Sequence, residues 1–353
     1  MRVVERVTQR HWFSSSPQPG RSPSLSLIQS ISPALLFFPP PASHTCGRQL
    51  WSSSPGKHGQ LLMRSLPIPK VRSRQITDPD IEGVVDLLAR GFRLRPRGYW
   101  QRALEKLSSR QAPPDMPKFG YLLESGGDLV GVILLIYSSI PGSPAAKMRC
   151  NVSSWYVEPA FRGHASLLIS QAIKNKNVTY VNVSPAMHTR PIVEAQGFSR
   201  YSEGQFVAAP ALSMNGRGGA AKMIEVATPP GVPIERAELD LLLAHKAYGC
   251  LSLWAVAAGQ AHPFVFMPRL AKGCIPCAQL IYCRQIRDFV RLAGPIGRYL
   301  TARGRPLVII DSNGPIPGLV GRYIEGKAPK YFKGPDRPHF GDLAYTEAVL
   351  FGL

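Results

Sequence analysis

The sequence predicts a mixed α/β chain in which a mostly antiparallel central sheet is flanked by helices and the whole pattern is laid down twice. Three observations predict it. From about residue 70, apolar residues recur in stretches of helical period separated by stretches of strand period. A glycine-rich break, MNGRGGAAK (214–222), divides these stretches into two series of similar order. Ahead of both stands a segment of different composition, 1–62. The expected organisation is a leader (1–62), a first α/β domain (63–213), a linker (214–223) and a second α/β domain (224–353).

The leader holds six Lys or Arg against a single acid, Glu5, and is rich in Ser and Pro. Such a composition cannot bury a regular core. Its one apolar patch, LIQSISPALLFFPPPA (27–42), is interrupted by Pro33 and ends in three prolines, which fits neither a signal-peptide core nor an amphipathic transit helix. It reads as sequence upstream of a true start at Met63, or as a disordered leader.

In the first series, VRSRQIT (71–77) is a short strand, and Thr77 or Asp78 caps a helix on which Ile81, Val84, Val85, Leu88 and Phe92 share a face. A second helix spans 99–110. FGYLLESGGDLVGVILLIYSSI (119–140) is two strands joined at Gly126-Gly127-Asp128. A strand (145–157), a helix (164–175), a strand (178–184), a short helix (187–198) stopped at Gly197 and a terminal hairpin (199–212) complete it. The order is β-α-α-β-β-β-α-β-α-β-β.

The second series offers a helix (233–249), strands at 250–259, 262–269 and 278–284, a helix (288–304) kinked at Gly294-Pro295, a strand (306–311) and a closing strand, YTEAVLFGL (345–353). This repeats the first order in outline; the alternative is an unrelated α/β cap.

Between strand 145–157 and helix 164–175 lies VEPAFRGHAS (157–166), a proline-started turn with Arg, Gly and small residues. A helix start at such a turn offers unpaired N–H groups and the positive end of the dipole to an anion. That element order, YVEPAFRGHASLLISQAI and VEAQGF together resemble the GNAT superfamily of acyl-CoA-dependent N-acetyltransferases over roughly 72–212. The second series would then be a second, degenerate GNAT-like unit.

The resemblance implies acyl transfer from acetyl-CoA to an amine acceptor, a small molecule or a protein. It implies that Val157 meets the pantetheine arm and that Arg162, Gly163, His164, Ala165 and Ser166 form the pyrophosphate turn. The sequence departs from the family pattern at several points. Leu167 stands where a small residue is usual, and Ala186 and Val193 stand where the family has its pantetheine Asn and acidic Tyr. Another proton donor is then needed: His188, Tyr201, Tyr156 or a water. Asn151, Ser153 and Ser154 replace the usual carboxylate of the fourth strand, which leaves Glu124 as the nearest candidate base. The rival reading is a catalytically silent GNAT-like module that binds CoA or a partner.

The net charge of +20 favours an anionic partner. The basic residues are scattered singly, without the blocks or aromatic interleaving of a nucleic-acid groove, and no apolar run reaches membrane-spanning length. Neither a nucleic acid nor a membrane is therefore expected as a partner. Cys274, Cys277 and Cys283 lie in CIPCAQLIYC, but a strand pattern follows the CxxC and no second pair exists, so neither a redox dithiol nor a metal site is expected. Thiols of this kind suit a reducing, cytoplasmic, bacterial-type enzyme. A chain that starts at Met63 is expected to melt at the same temperature as the full chain; a clear loss in a thermal melt would show that 1–62 belongs to the fold.

Overall fold

The computed structural model describes residues 70–139, 147–213, 221–271 and 273–352, which fall within one compact unit. The leader, Met63 and positions 214–220 of the expected linker lie outside the described residues.

The first series forms β1 (Arg72–Gln75), α1 (Ile81–Gly91), α2 (Arg97–Ser108), β2 (Gly120–Ser125), β3 (Asp128–Ser139) and β4 (Met148–Val157). It continues through α3 (Ala165–Ala172), β5 (Val178–Asn182), α4 (Arg190–Ala195) and β6 (Ser199–Ala208). The entry to α1 is fixed locally. Asp80 accepts from the Thr77 N–H and hydroxyl at 2.8 and 2.7 Å, and from both ends of the Arg74 guanidinium at 2.7 Å. The hairpin of β2 and β3 turns on Gly126 (φ 61°) and Gly127 (φ 96°), the two left-handed positions of a type I′ turn. β3 is buried along most of its length because helices cover both of its faces. Val132, Leu134 and Ile136 lie under α1 and α2, while Ile133, Leu135 and Tyr137 belong to the core that holds α3.

The second series forms β7 (Lys222–Glu225), α5 (Arg236–Ala247), β8 (Leu251–Ala257), β9 (Gln260–Ala271) and β10 (Ile275–Cys283). Then come α6 (Ile286–Arg291), α7 (Ala293–Thr301), β11 (Leu307–Ser312) and β12 (Gly321–Lys333). The expected kinked helix is two helices that meet at Leu292, and Pro295 sits in the first turn of α7, where a missing N–H costs little. α7 packs so closely on Pro210–Leu212 that a Cβ on Gly297 would stand 2.1 Å from the Ala211 nitrogen.

Among the described residues twelve strands form one sheet in the order β1-β2-β3-β4-β5-β12-β6-β11-β10-β9-β8-β7. It is mixed and mostly antiparallel, with parallel pairing only at β4–β5 and β10–β11 among the described strands. The order reads alike from either edge. Each series ends by inserting its last strand into the other: β6 lies between β12 and β11, and β12 lies between β5 and β6. The sheet therefore runs unbroken past the expected linker.

Two expectations are corrected. Residues 199–212 are not a hairpin but a single strand followed by a 3-10 turn, Pro210–Leu212. Residues 345–353 do not close the chain as a strand. Ala348–Gly352 is a π-helical turn, and Ala348, Val349, Leu350 and Phe351 are all buried instead of alternating. The role assigned to a closing strand is taken by β12, whose GRYIEGKAPKYFK is too polar over its first half to show strand periodicity.

The segment Gly341–Gly352 runs as a strap on the face that carries α1, α2 and α5, and its apolar residues join their core. It is tied down by a buried ion pair between Arg149 of β4 and Asp342. Asp342→Ala leaves the guanidinium buried and uncompensated, and urea denaturation should show a loss of about 3–5 kcal/mol. The double change Arg149→Met with Asp342→Leu should recover much of that.

Candidate active site

β4 and β5 run side by side only from Met148↔Val178 to Asn151↔Val181. Beyond Asn151, β4 continues to Val157, while β5 ends at Asn182 and the chain leaves through a 3-10 turn at Met187–Thr189. β4 also bulges there: its register with β3 shifts between Val132 and Leu134, and Ser154 adopts φ 39°. The two strands part into an opening whose β4 wall includes Ser153.

Glu347 of the strap fills the base of that opening. Its N–H donates to Asn151 Oδ1 at 2.6 Å. Its carboxylate accepts from the hydroxyl of Ser153 on β4 and from that of Ser184 just past β5. Asn151 is itself held by Nδ2 donation to the carbonyls of Val152 and Val181, both at 3.2 Å. Glu347 is 4% exposed, and burial pushes its carboxyl above the usual range against the opposing pull of the two serines. A buried carboxyl with a raised pKa and fixed hydrogen bonds is what a general base requires.

The second parallel pair parts in the same way. β10 and β11 are in register from Cys277↔Leu307 to Gln279↔Ile309, and β10 runs on to Cys283. Here, however, the strap seals the opening with main chain: Cys283 N–H donates to Gly341 O at 2.9 Å and Leu343 N–H to Ile281 O at 2.7 Å. The first opening is bridged by the side chain of Glu347, the second by backbone.

The turn after β4 is a 3-10 helix, Pro159–His164, leading into α3. Val157 is buried at its base, opposite Gly131. Arg162, Gly163, His164 and Ser166 are exposed and Ala165 is half-buried. The turn consumes part of its own donors, because Phe161 N–H bonds to Glu158 O and Ala165 N–H to Arg162 O. The unpaired N–H groups expected of this turn are therefore largely spent, since Gly163 and His164 lie inside the 3-10 helix, Ala165 closes it, and a 3-10 turn satisfies its N–H groups three residues back. Leu167, 44% exposed, follows in the first turn of α3.

The predicted catalytic residues are dispersed. Glu124 lies on β2 near the outer edge of the sheet, where its oxygens accept from Arg72 and Arg74 at 2.7 and 2.8 Å. Those hydrogen bonds hold its carboxyl below the usual range and make it a poor base. Tyr201 on β6 is 2% exposed, and burial holds its hydroxyl proton far too tightly for an acid. His188 is half-buried on the loop after β5, and burial lowers its pKa, so it is neutral at pH 7. The residue that sequence reasoning missed is Glu347. Its signal was a lone carboxylate within an apolar stretch, AYTEAVLFG, read there as a strand.

Among the described residues no cluster of His, Cys, Asp or Glu could hold a metal, and no helix is long and apolar enough to cross a membrane. No family model and no curated protein matches the chain. Solved structures do resemble it. A GCN5-related N-acetyltransferase from Kribbella flavida is 16% identical, covering 75% of this chain and 71% of its own, with a TM-score of 0.46. One from Anabaena variabilis is 9% identical, covering 75% and 72%, with a TM-score of 0.49. Eis1 from Mycobacterium abscessus is 9% identical, covering 75% and 73%, with a TM-score of 0.44.

A carboxyl whose pKa is raised on folding binds its proton more tightly in the native state, so it detracts from stability as pH rises through the unfolded value, about 4.3. Glu347→Gln should therefore melt at or above the parent temperature at pH 7, and the gap should shrink as pH falls toward about 4. A large loss at pH 7 would mean that the carboxylate charge is structural.

Proposed function

We propose that the chain transfers an acyl group, acetyl in the first instance, from acyl-CoA to an amine by direct attack, with Glu347 as the base. The observation that carries this reading is the buried Glu347 carboxylate, held by Ser153 and Ser184 where β4 and β5 part. The opening suits an extended pantetheine arm along the β4 wall beyond Asn151, and the turn at Arg162 suits the anionic end. Bound acyl-CoA supplies the thioester; the chain supplies position and a proton acceptor. The amine nitrogen loses its proton to Glu347 as it bonds to the acyl carbon, and the carbon–sulfur bond breaks with its electron pair going to sulfur. A thiol of this kind has a pKa of about 8.5, so the thiolate is a competent leaving group and can take its proton from solvent. No role then falls to Tyr201, to His188 or to Glu124.

A second reading has its own support. Ala186 and Val193 stand where the resembled family has its pantetheine Asn and acidic Tyr, as in a catalytically silent module that binds CoA or a partner. In either case a CoA ligand, and cysteines that are all free among the described residues, suit a reducing cytoplasm.

Acetyl-CoA should raise the melting temperature, and thiol release should follow when an amine panel is added. Glu347→Gln should lower kcat by about 10²- to 10⁴-fold while leaving the acetyl-CoA shift intact. Arg162→Ala should weaken CoA by about 1–3 kcal/mol and leave pantetheine, which lacks the pyrophosphate, unchanged. A shift without turnover would favour the silent module, and no shift would sink both readings.

A further inference from the structure

A cavity of about 400 Å³ lies in the second series, and none of the residues that line it belongs to the strap. Its walls are apolar: Leu251 of β8, Phe266 and Pro268 of β9 and Ala278 of β10. Ala278 stands opposite Val308 within the parallel pairing of β10 and β11, and that pair parts only beyond Gln279 and Ile309. The cavity therefore sits at the closed end of the pair and is not a counterpart of the opening that holds Glu347.

Two arginines, Arg303 and Arg305, also line it, and the exit of α7 sets both. The helix ends at Thr301, Gly304 takes a left-handed φ of 72°, and Arg305 N–H donates back to Leu300 O at 2.9 Å. The two side chains thus flank one tight turn. Arg303 is already committed: its guanidinium lies over the Tyr299 ring, 3.6 Å from the centroid, and Nη2 donates to Glu225 Oε1 at 3.0 Å. Arg305 is half-buried, and its Nη1 donates to the Arg303 carbonyl at 3.0 Å. Among the described residues no ion pair joins it to a carboxylate. Cys250, also on the wall, cancels no charge, because burial pushes its thiol up to about 12. The cavity therefore holds one uncompensated positive charge beside apolar walls. Arg110 offers no such space, since the cavity it lines is only about 10 Å³, room for about one water.

We propose that this cavity binds a small monocarboxylate with an apolar body, of which a medium-chain fatty acid is the type. The carboxylate meets the Arg305 guanidinium in two-point geometry, and the body lies along Leu251, Phe266, Pro268 and Ala278. The volume falls at the lower end of the range of about 300–1,000 Å³ that suits small organic ligands. The charge selects a monoanion. A phosphate monoester would bring a second negative charge, and the Arg303 that could meet it is already spent on Glu225. The site is separate from Glu347, so it stands or falls independently of the acyltransferase reading.

Isothermal titration of the full chain with octanoate, octan-1-ol, acetate and octyl phosphate tests this. Octanoate should bind more tightly than octan-1-ol, which lacks the charge, than acetate, which lacks the body, and than octyl phosphate. Arg305→Gln should weaken octanoate by about 10- to 100-fold and leave octan-1-ol unchanged. Arg305→Lys should retain part of the affinity. Pro268 is exposed, so Pro268→Glu should melt with the parent protein while its carboxylate repels octanoate from the cavity. No binding of octanoate, octan-1-ol or octyl phosphate bound as tightly, or octanoate affinity unmoved by Arg305→Gln would each overturn the assignment.

Discussion

Ionised groups withdrawn from water persist only where fixed partners meet them, and this constraint dictates the path of the strap across the sheet. Asp342 must meet Arg149, and the Glu347 carboxylate must meet Ser153 and Ser184. With both ends of Asp342–Glu347 tied to polar partners, the intervening Leu343 and Ala344 are drawn into the apolar core. His245 of α5 joins the same system. Its Nε2 accepts from Tyr345 N–H at 3.1 Å and its Nδ1 bonds Leu241 O at 2.8 Å, an arrangement that requires the neutral ring. Burial keeps it so by lowering its pKa to about 4. Tyr345 itself takes a left-handed backbone, φ 57°, which lets the strap turn between two polar anchors.

A second buried pair secures the strand exchange. Lys330 of β12 reaches Asp311 of β11 at 2.7 Å, although β6 lies between those strands in the sheet. Both side chains are buried, so this pair ties β12 to β11 across the inserted β6. The arrangement explains why the halves of the sheet show no natural seam. It also lets Val265 and Met267 of β9 share one apolar core with Leu343 and Val349 of the strap.

Much of the fold was legible in the sequence. The helices of the first series, the Gly126-Gly127 turn and the strand-turn-helix at 157–166 follow from local periodicity, caps and glycine conformations that neighbours do not override. The strap and β12 were not legible for opposite reasons. Ala348–Phe351 is buried on all sides, so its apolar residues carry no period, whereas β12 is half-exposed and reads as a polar loop. The site was legible only in part. The turn at Arg162 announced itself by composition, while the partnership of Ser153, Ser184 and Glu347 joins residues 163 and 194 positions apart that only the tertiary path brings together. The choice of Glu124 failed because a carboxylate on a strand says nothing of the arginines that face it from the next strand.

The exchange of last strands bears on how the chain is made. While the ribosome has delivered only the first series, β5 and β6 lack the strand that belongs between them, and β4 lacks the partner of its buried arginine. A nascent first half is thus an open sheet with an empty slot, and it must wait for more than a hundred further residues before β12 arrives. Contacts so distant in sequence close slowly, and an unfilled slot can accept the strand of another molecule as readily as its own. The same topology that joins the halves in the finished protein therefore makes the interval before its completion the period of greatest exposure to mispairing.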